Sequence, residues 1–159
     1  MATDVRAIVA DVPDPEIPVV TIDDLGILRD VRQSGRRVEV DITPTYSGCP
    51  AMDAIRTDVR QRLEAAGYDD VEVRLVLSPA WTTDAISEAG KAKLRDYGVA
   101  PPTGTSAVRS GPVPVALAVR CPQCGSLDTT ELSRFGSTAC KSLWRCRACA
   151  EPFDHFKAL

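Results

Sequence analysis

Two short cysteine pairs near one end constrain this chain more than any other feature. Cys121-Pro122-Gln123-Cys124 and Cys146-Arg147-Ala148-Cys149 are CxxC knuckles separated by 21 residues. Zinc takes four soft ligands in a tetrahedron, and a CxxC turn sets two thiolates side by side on one ion. Gly125 adds a residue that tolerates positive φ, which lets backbone amides turn towards the sulfurs. A ribbon of about 40 residues buries too little surface to fold unaided, so the metal has to supply its stability. Four cysteines also suit an iron–sulfur cluster, so the spacing defines a metal site and leaves zinc or a cluster as its occupant.

Other residues of the same module carry less information. Cys140 is a fifth cysteine there; it fits a small buried hydrophobe, a competing ligand or an additional functional thiol. His155, the one histidine of the chain, reads as a packing residue between Phe153 and Phe156 rather than a ligand. Trp144 reads as core, and Lys141, Arg145 and Arg147 read as a solvated basic edge.

Upstream, the apolar periodicity changes along the chain. Asp4 can cap a short helix with Val5, Ile8, Val9 and Val12 on one face, which Pro13, Pro15 and Pro18 then end. Residues 27–32 and 37–43 read as a hairpin around Ser34-Gly35, with Val38, Val40 and Ile42 alternating with Glu39 and Asp41. Residues 50–66 are the best helix: Met52, Ile55, Val59, Leu63 and Ala66 form one stripe, and Gly67 stops it. Val71, Val73, Leu75 and Leu77 alternate as a third strand, and a polar helix is expected over 84–97. This pattern predicts an α/β (α+β) fold: a small mixed sheet of about three strands with flanking helices, then a zinc-ribbon module. The expected domains are 1–99 and 118–159, joined by a Pro/Gly/Ser-rich linker at 100–117.

The sixth cysteine stands apart. Thr43-Pro44-Thr45-Tyr46-Ser47-Gly48-Cys49-Pro50 runs from a strand end into the best helix. Proline favours the first helical position, which predicts Cys49 as the N-cap and its thiolate as favoured by the helix end. Asp14 and Glu16, in the proline-bracketed loop, read either as exposed turn acids or as carboxylates aimed at the same place. No Ser/His/Asp constellation, phosphate-binding glycine loop or HExxH motif accompanies them, so catalysis is not expected.

Composition removes further classes. With 19 Lys+Arg against 22 Asp+Glu, the chain carries a net charge of −3, and aromatic residues make up 5%. Nucleic-acid binding by the whole chain is disfavoured on both counts. No apolar run reaches the roughly 18–20 residues of a membrane helix, and Met1-Ala2-Thr3-Asp4 lacks the basic start of a secretory signal. A cytoplasmic protein is expected, with its cysteines as ligands rather than disulfides.

Several of these motifs occur together elsewhere. Asp14-Pro15-Glu16-Ile17-Pro18, Asp24-Leu25-Gly26-Ile27 and Thr43-Pro44-Thr45 leading to Cys49-Pro50 resemble the SufT-like iron–sulfur assembly domain, over roughly residues 4–100. The ribbon, with 135–141 reading FGSTACK and 151–154 reading EPFD, resembles the PaaD (PaaJ) family of the bacterial phenylacetate pathway. The resemblance implies that Cys49 is the functional thiol, supported by the acidic loop at Asp14 and Glu16. It implies a non-catalytic accessory protein of the phenylacetyl-CoA ring-1,2-epoxidase system, assisting iron–sulfur or metal centre assembly. The alternative is a structural subunit of the multicomponent oxygenase. Expected partners are subunits of that epoxidase system or iron–sulfur assembly proteins. A homodimer would bring two Cys49 thiols together.

Overall fold

The computed structural model describes residues 4–103 and 118–158; most of the expected linker, 104–117, lies outside the described residues. The chain divides into two compact units, Met1–Trp81 with Ala85–Ser87 and Thr82–Asp84 with Glu88–Leu159. The helix anticipated near 84–97 therefore groups with the cysteine-rich module.

In the first unit, helix α1 (Val5–Ala10) is capped by Asp4, whose carboxylate accepts from the Arg6 N–H at 3.0 Å. Strands β1 (Leu28–Ser34) and β2 (Arg37–Ile42) pair antiparallel, closing the turn with Ser34 opposite Arg37. Helix α2 (Ala51–Ala65) crosses over to β3 (Asp70–Leu75), which lies parallel to β2, so the sheet order is β1-β2-β3. Val38, Val40 and Ile42 bury fully on one sheet face, and Met52, Ile55, Val59 and Leu63 of the helix stripe are buried as well. On the other face Arg32, Arg37 and Arg74 interleave with Glu39, Asp41, Asp70 and Glu72. Helix α2 ends at Gly67 (φ +95°), where the Gly67 and Tyr68 N–H groups return to the Glu64 and Leu63 carbonyls.

The third strand departs from its expected burial. Val73 is buried, but Leu75 is 41% exposed and Leu77, beyond the strand end, is 70% exposed. The apolar row leaves the core because Leu75 and Leu77 line an open cavity instead.

The expected single helix over 84–97, most of which belongs to the second unit, is shorter. A 3₁₀ turn at Thr83–Ala85 precedes helix α3 (Glu88–Tyr97). Gly98 (φ +94°) turns the chain into the two-residue strand β4 (Val99–Ala100). Strands β5 (Thr129–Ser133), β6 (Lys141–Cys146) and β7 (Pro152–Phe156) complete a sheet of order β4-β7-β6-β5. Its core is small: Ala100, Val119, Trp144 and Phe153 pack with Cys121 and Cys146. A hydrophobic cluster of this size is what metal cross-linking has to supplement.

Candidate functional site

The two knuckles are built alike, residue for residue. In the first, the Cys121 N–H donates to the Ser126 carbonyl at 2.9 Å; in the second, the Cys146 N–H donates to Glu151 at 2.9 Å. Arg120, before the first cysteine, donates to the Gly125 carbonyl at 2.6 Å, and Arg145 donates to Ala150 at 3.4 Å. Gly125 has φ +77° and Ala150 has φ +66°, so an alanine holds the left-handed position that glycine holds in the first knuckle. The repeat is Arg-Cys-x-x-Cys-(Gly/Ala)-x, with the two sequences differing at the residue whose conformation matters most.

These turns bring four sulfurs together. Cys121 Sγ lies 3.7 Å from Cys149 Sγ and Cys124 Sγ lies 3.6 Å from Cys146 Sγ. All four lie within 4.8 Å of one another. A tetrahedral ion with metal–sulfur bonds of about 2.3 Å spaces its sulfurs about 3.8 Å apart, so the cage fits a single ion. Backbone N–H groups of Cys149 and Ala148 directed at Cys146 bring its thiol down to about 7, although burial opposes them. Cys149 accepts from the Glu151 N–H, yet burial and the neighbouring thiols push it up to about 12. Cys124 is also raised: the Ser126 N–H favours its thiolate, but hydrogen bonding to Cys146 and burial outweigh that. A cation removes this mutual opposition, because it stabilises all four thiolates together.

Around Cys49 the geometry differs in kind. The thiol is half-buried and lines an open cavity of about 650 Å³. Its apolar wall includes Met52, Leu75, Leu77, Ala80 and Trp81, with Thr43, Tyr46, Ser47 and Asp53 among the polar members. Trp81 is anchored by its indole N–H, which donates to the Leu25 carbonyl at 2.8 Å. That carbonyl is held by the turn ending at Gly26 (φ +69°), where an added Cβ would sit 2.5 Å from the Ala85 Cβ. The Asp24-Leu25-Gly26 motif thus positions an aromatic wall of the cavity.

One detail of the helix start corrects the sequence analysis. Pro50 itself is the N-cap of α2, with helical φ −70° and ψ −19°, and Cys49 stands one residue earlier. Proline already occupies helical geometry there, so the boundary moves forward by one residue. Among the described residues, no hydrogen bond reaches the Cys49 sulfur; its backbone carbonyl instead accepts from the Met52 N–H at 3.4 Å.

The remaining candidates are placed elsewhere. Asp14 is buried, and its Oδ1 accepts from the Glu16 N–H at 2.9 Å and the Ile17 N–H at 2.8 Å. That carboxylate shapes its own loop, and neither Asp14 nor Glu16 lines the Cys49 cavity. Cys140 is buried, 3.0 Å from the Thr138 hydroxyl, and is not one of the four clustered sulfurs. His155 is buried edge-on against Trp144, and desolvation pushes its pKa down to about 4. Lys141 does not belong to a solvated edge: it is 5% exposed and lies 3.7 Å from Asp154 of the neighbouring strand. Sequence reasoning missed the wall residues Leu75 and Leu77, and gave no role to Thr43. Thr43 is 1% exposed and its hydroxyl has no partner among the described residues.

Comparison with known proteins follows the same division. Residues 2–75 match the family described as "Iron-sulfur cluster assembly protein", and residues 105–157 match "PaaD zinc beta ribbon domain". The "Fe-S protein maturation auxiliary factor" of Porphyromonas gingivalis (strain ATCC BAA-308 / W83) is 38% identical over 94 residues, 57% of this chain and 88% of its own. A crystal structure of a "Domain of Unknown Function DUF59" from Bacillus anthracis superposes with a TM-score of 0.52 at 30% identity. That match covers 57% of this chain and 87% of the other. An Escherichia coli (strain K12) protein, named as a subunit of a "Putative 1,2-phenylacetyl-CoA epoxidase", is 47% identical over 156 residues, 98% of this chain and 92% of its own. An assembly-type α/β unit followed by a four-cysteine ribbon, alike over nearly its whole length to that relative, makes this chain a member of the PaaD family.

Proposed function

We propose that this protein is a non-catalytic accessory factor that helps mature an iron–sulfur or metal centre of a phenylacetyl-CoA epoxidase system. The observation that carries the reading is the single half-buried thiol, Cys49, in an open, largely apolar cavity. One thiolate cannot retain a cluster by itself, so a lone cysteine in an accessible cavity suits transient contact with cargo or client. The names of the Porphyromonas gingivalis and Escherichia coli relatives support, respectively, the maturation role and the epoxidase client. In this reading the cytoplasm is the setting, and epoxidase subunits or iron–sulfur assembly proteins are the partners. Asp14 and Glu16 contribute as the loop they build, and Cys140 as a buried packing thiol.

The ribbon has the separate task of holding zinc on Cys121, Cys124, Cys146 and Cys149. The spacing of the sulfurs supports one ion, because a cluster interposes its own iron and sulfide atoms and spreads the thiolates further. Zinc in such a closed Cys₄ site supplies folding free energy and no open coordination position.

The test is complementation. Cys49→Ser preserves side-chain size and should change stability by less than about 1 kcal/mol. In a cell lacking its own copy, the variant should fail to support growth on phenylacetate while its zinc content stays unchanged. Full growth with Cys49→Ser would overturn the proposal. A scaffold role within the oxygenase is the second reading, favoured by the name of the Escherichia coli relative, which places that protein among the epoxidase subunits. Co-purification with the oxygenase at fixed stoichiometry, undiminished by Cys49→Ser, would establish it.

A further inference from the structure

We propose that the free edge of strand β3 is an interface between two copies of this chain, which pair there antiparallel about a two-fold axis at Val73. The inference is independent of the role given to Cys49 and concerns how the sheet beside that cavity is completed.

Among the described residues, the two sheets end in β1, β3, β4 and β5, and all of these edges except β3 are blunted. β1 carries a register shift between Leu28 and Asp30, β5 carries one between Glu131 and Ser133, and β4 is two residues long. Bulges and short length are common protections of an exposed strand edge. β3 has neither, and it pairs with β2 in unbroken register from Asp70 to Leu75. The Val76 N–H donates to the Ile42 carbonyl at 2.8 Å, so by alternation Arg74, Glu72 and Asp70 also turn their backbone groups to β2. The N–H and C=O groups of Val71, Val73 and Leu75 therefore point away from the sheet. Among the described residues, the group that reaches them is the Arg56 guanidinium, 3.5 Å from the Val73 carbonyl. The charged side chains of β3 do not guard this edge, because they are drawn inward. Arg37 holds Asp70 at 3.4 Å and Glu72 at 2.9 Å, and Asp41 holds Arg74 at 2.9 Å.

The residues of the strand select a second copy as the occupant. Antiparallel pairing sets outward residues opposite outward residues, so an axis within the strand passes through a residue. At Glu72 or Arg74 the axis sets that residue against its own copy, and like charges meet. At Val71 or Leu75 part of the pairing runs off an end of the strand. The axis at Val73 sets Glu72 opposite Arg74 of the second copy, Val71 opposite its Leu75, and Val73 opposite itself. Opposite-charge and apolar pairs of this kind stabilise a sheet, and the symmetry repeats each of them. The side chains of Val71, Val73 and Leu75 share one face, and Leu75, 41% exposed, is the apolar surface that the pairing covers. Leu75 also lines the Cys49 cavity, so the second copy's Val71 becomes a neighbour of that wall. Arg56 yields the Val73 carbonyl to the incoming N–H, giving up a bond at the long limit of hydrogen bonding. The overlap is one short strand, so the dimer belongs to the weak, transient class.

The experiment is sedimentation equilibrium of the full chain, loaded with zinc and kept under reductant so that disulfides cannot link two copies. The wild type should dimerise reversibly at concentrations up to about 1 mM, and exchange of the Val71, Val73 and Leu75 amides should slow as concentration rises. Glu72→Arg and Arg74→Glu each turn both symmetry-related pairs from attractive to repulsive, so the dissociation constant should rise about tenfold in either. An equimolar mixture of these two variants should recover the wild-type affinity, because opposite charges meet again on both sides of the axis. Thermal midpoints establish that each variant is folded. Should a charge variant fail to fold, Val71→Pro removes one outward N–H and no bond to β2, and should weaken the dimer as well. A wild-type monomer at every concentration, or a dimer indifferent to these variants, would overturn the proposal. Weakening in both charge variants without recovery in their mixture would overturn the two-fold register. Protection of the same amides by a client protein, with the chain still monomeric, would give the edge to a client strand instead.

Discussion

Replacing Ala150 with glycine should tighten zinc binding. Ala150 holds φ +66°, a left-handed conformation that its Cβ makes unfavourable by about 1–2 kcal/mol. Glycine removes that strain but adds unfolded-state freedom worth about 0.4–1 kcal/mol in the opposite direction. The net gain is therefore about 0.5–1 kcal/mol, or roughly two- to fivefold in affinity where metal binding and folding are one process. The equivalent position of the other knuckle supplies the reverse experiment. Gly125 has φ +77°, and a Cβ there would meet no atom within 4 Å, so Gly125→Ala adds backbone strain and no clash. It should weaken binding by the same two- to fivefold. Competition against a chromophoric zinc chelator at fixed pH measures both variants on one scale. Opposite shifts of similar size are expected. Weaker binding in Ala150→Gly, or no response to Gly125→Ala, would refute the claim that these two residues do the same conformational work.

Gly26→Ala should destabilise the first unit by about 3–5 kcal/mol, since it combines positive φ with a Cβ 2.5 Å from the Ala85 Cβ and 2.6 Å from its carbonyl oxygen. Chemical denaturation followed through Trp81 fluorescence checks this, and a loss below about 1 kcal/mol would contradict the packing described. His155 predicts acid sensitivity in the second unit. Its pKa falls from 6.5 to about 4 on burial, so the unfolded chain takes up the proton first as pH drops. The stability is complete above pH 6.5 and is lost progressively towards pH 4, by at most about 3 kcal/mol. Unfolding of the zinc-loaded protein across that range should be steeper than in His155→Asn, and equal slopes would show that His155 contributes nothing.

The sequence was most informative where one local rule decided the outcome. The stripe of Met52, Ile55, Val59 and Leu63, the alternation of Val38, Val40 and Ile42, and the CxxC spacing each rest on a fixed period. The structure keeps all three, except that Ala66, the expected last member of the stripe, is exposed at the C-cap of α2, where the helix ends before the period can bury it. Residues whose environment is set by distant chain segments were harder to read. Lys141 looked like a surface cation and is buried because Asp154 of β7 reaches it across the sheet. Leu75 and Leu77 continued a strand pattern that gave no sign of a cavity where the pattern leaves the core. The Arg-Cys-x-x-Cys repeat escaped notice because seven residues are too few to stand out until their hydrogen bonds are seen to coincide.

On the function proposed above, the two cysteine sites divide retention from exchange by ligand number. Four thiolates around one ion must all let go before the ion leaves, and amides from the turning backbone already direct N–H groups at the sulfurs of Cys124, Cys146 and Cys149. Such a site is slow to empty and serves folding. Cys49 has one sulfur, no hydrogen-bond donor to it among the described residues, and a cavity open to solvent. A group held there leaves by breaking one bond, which is the property a handing-on protein needs and a structural site must avoid. The apolar walls of that cavity act on a bound fragment without adding a second ligand, so the number of bonds to sulfur sets the difference between the two sites.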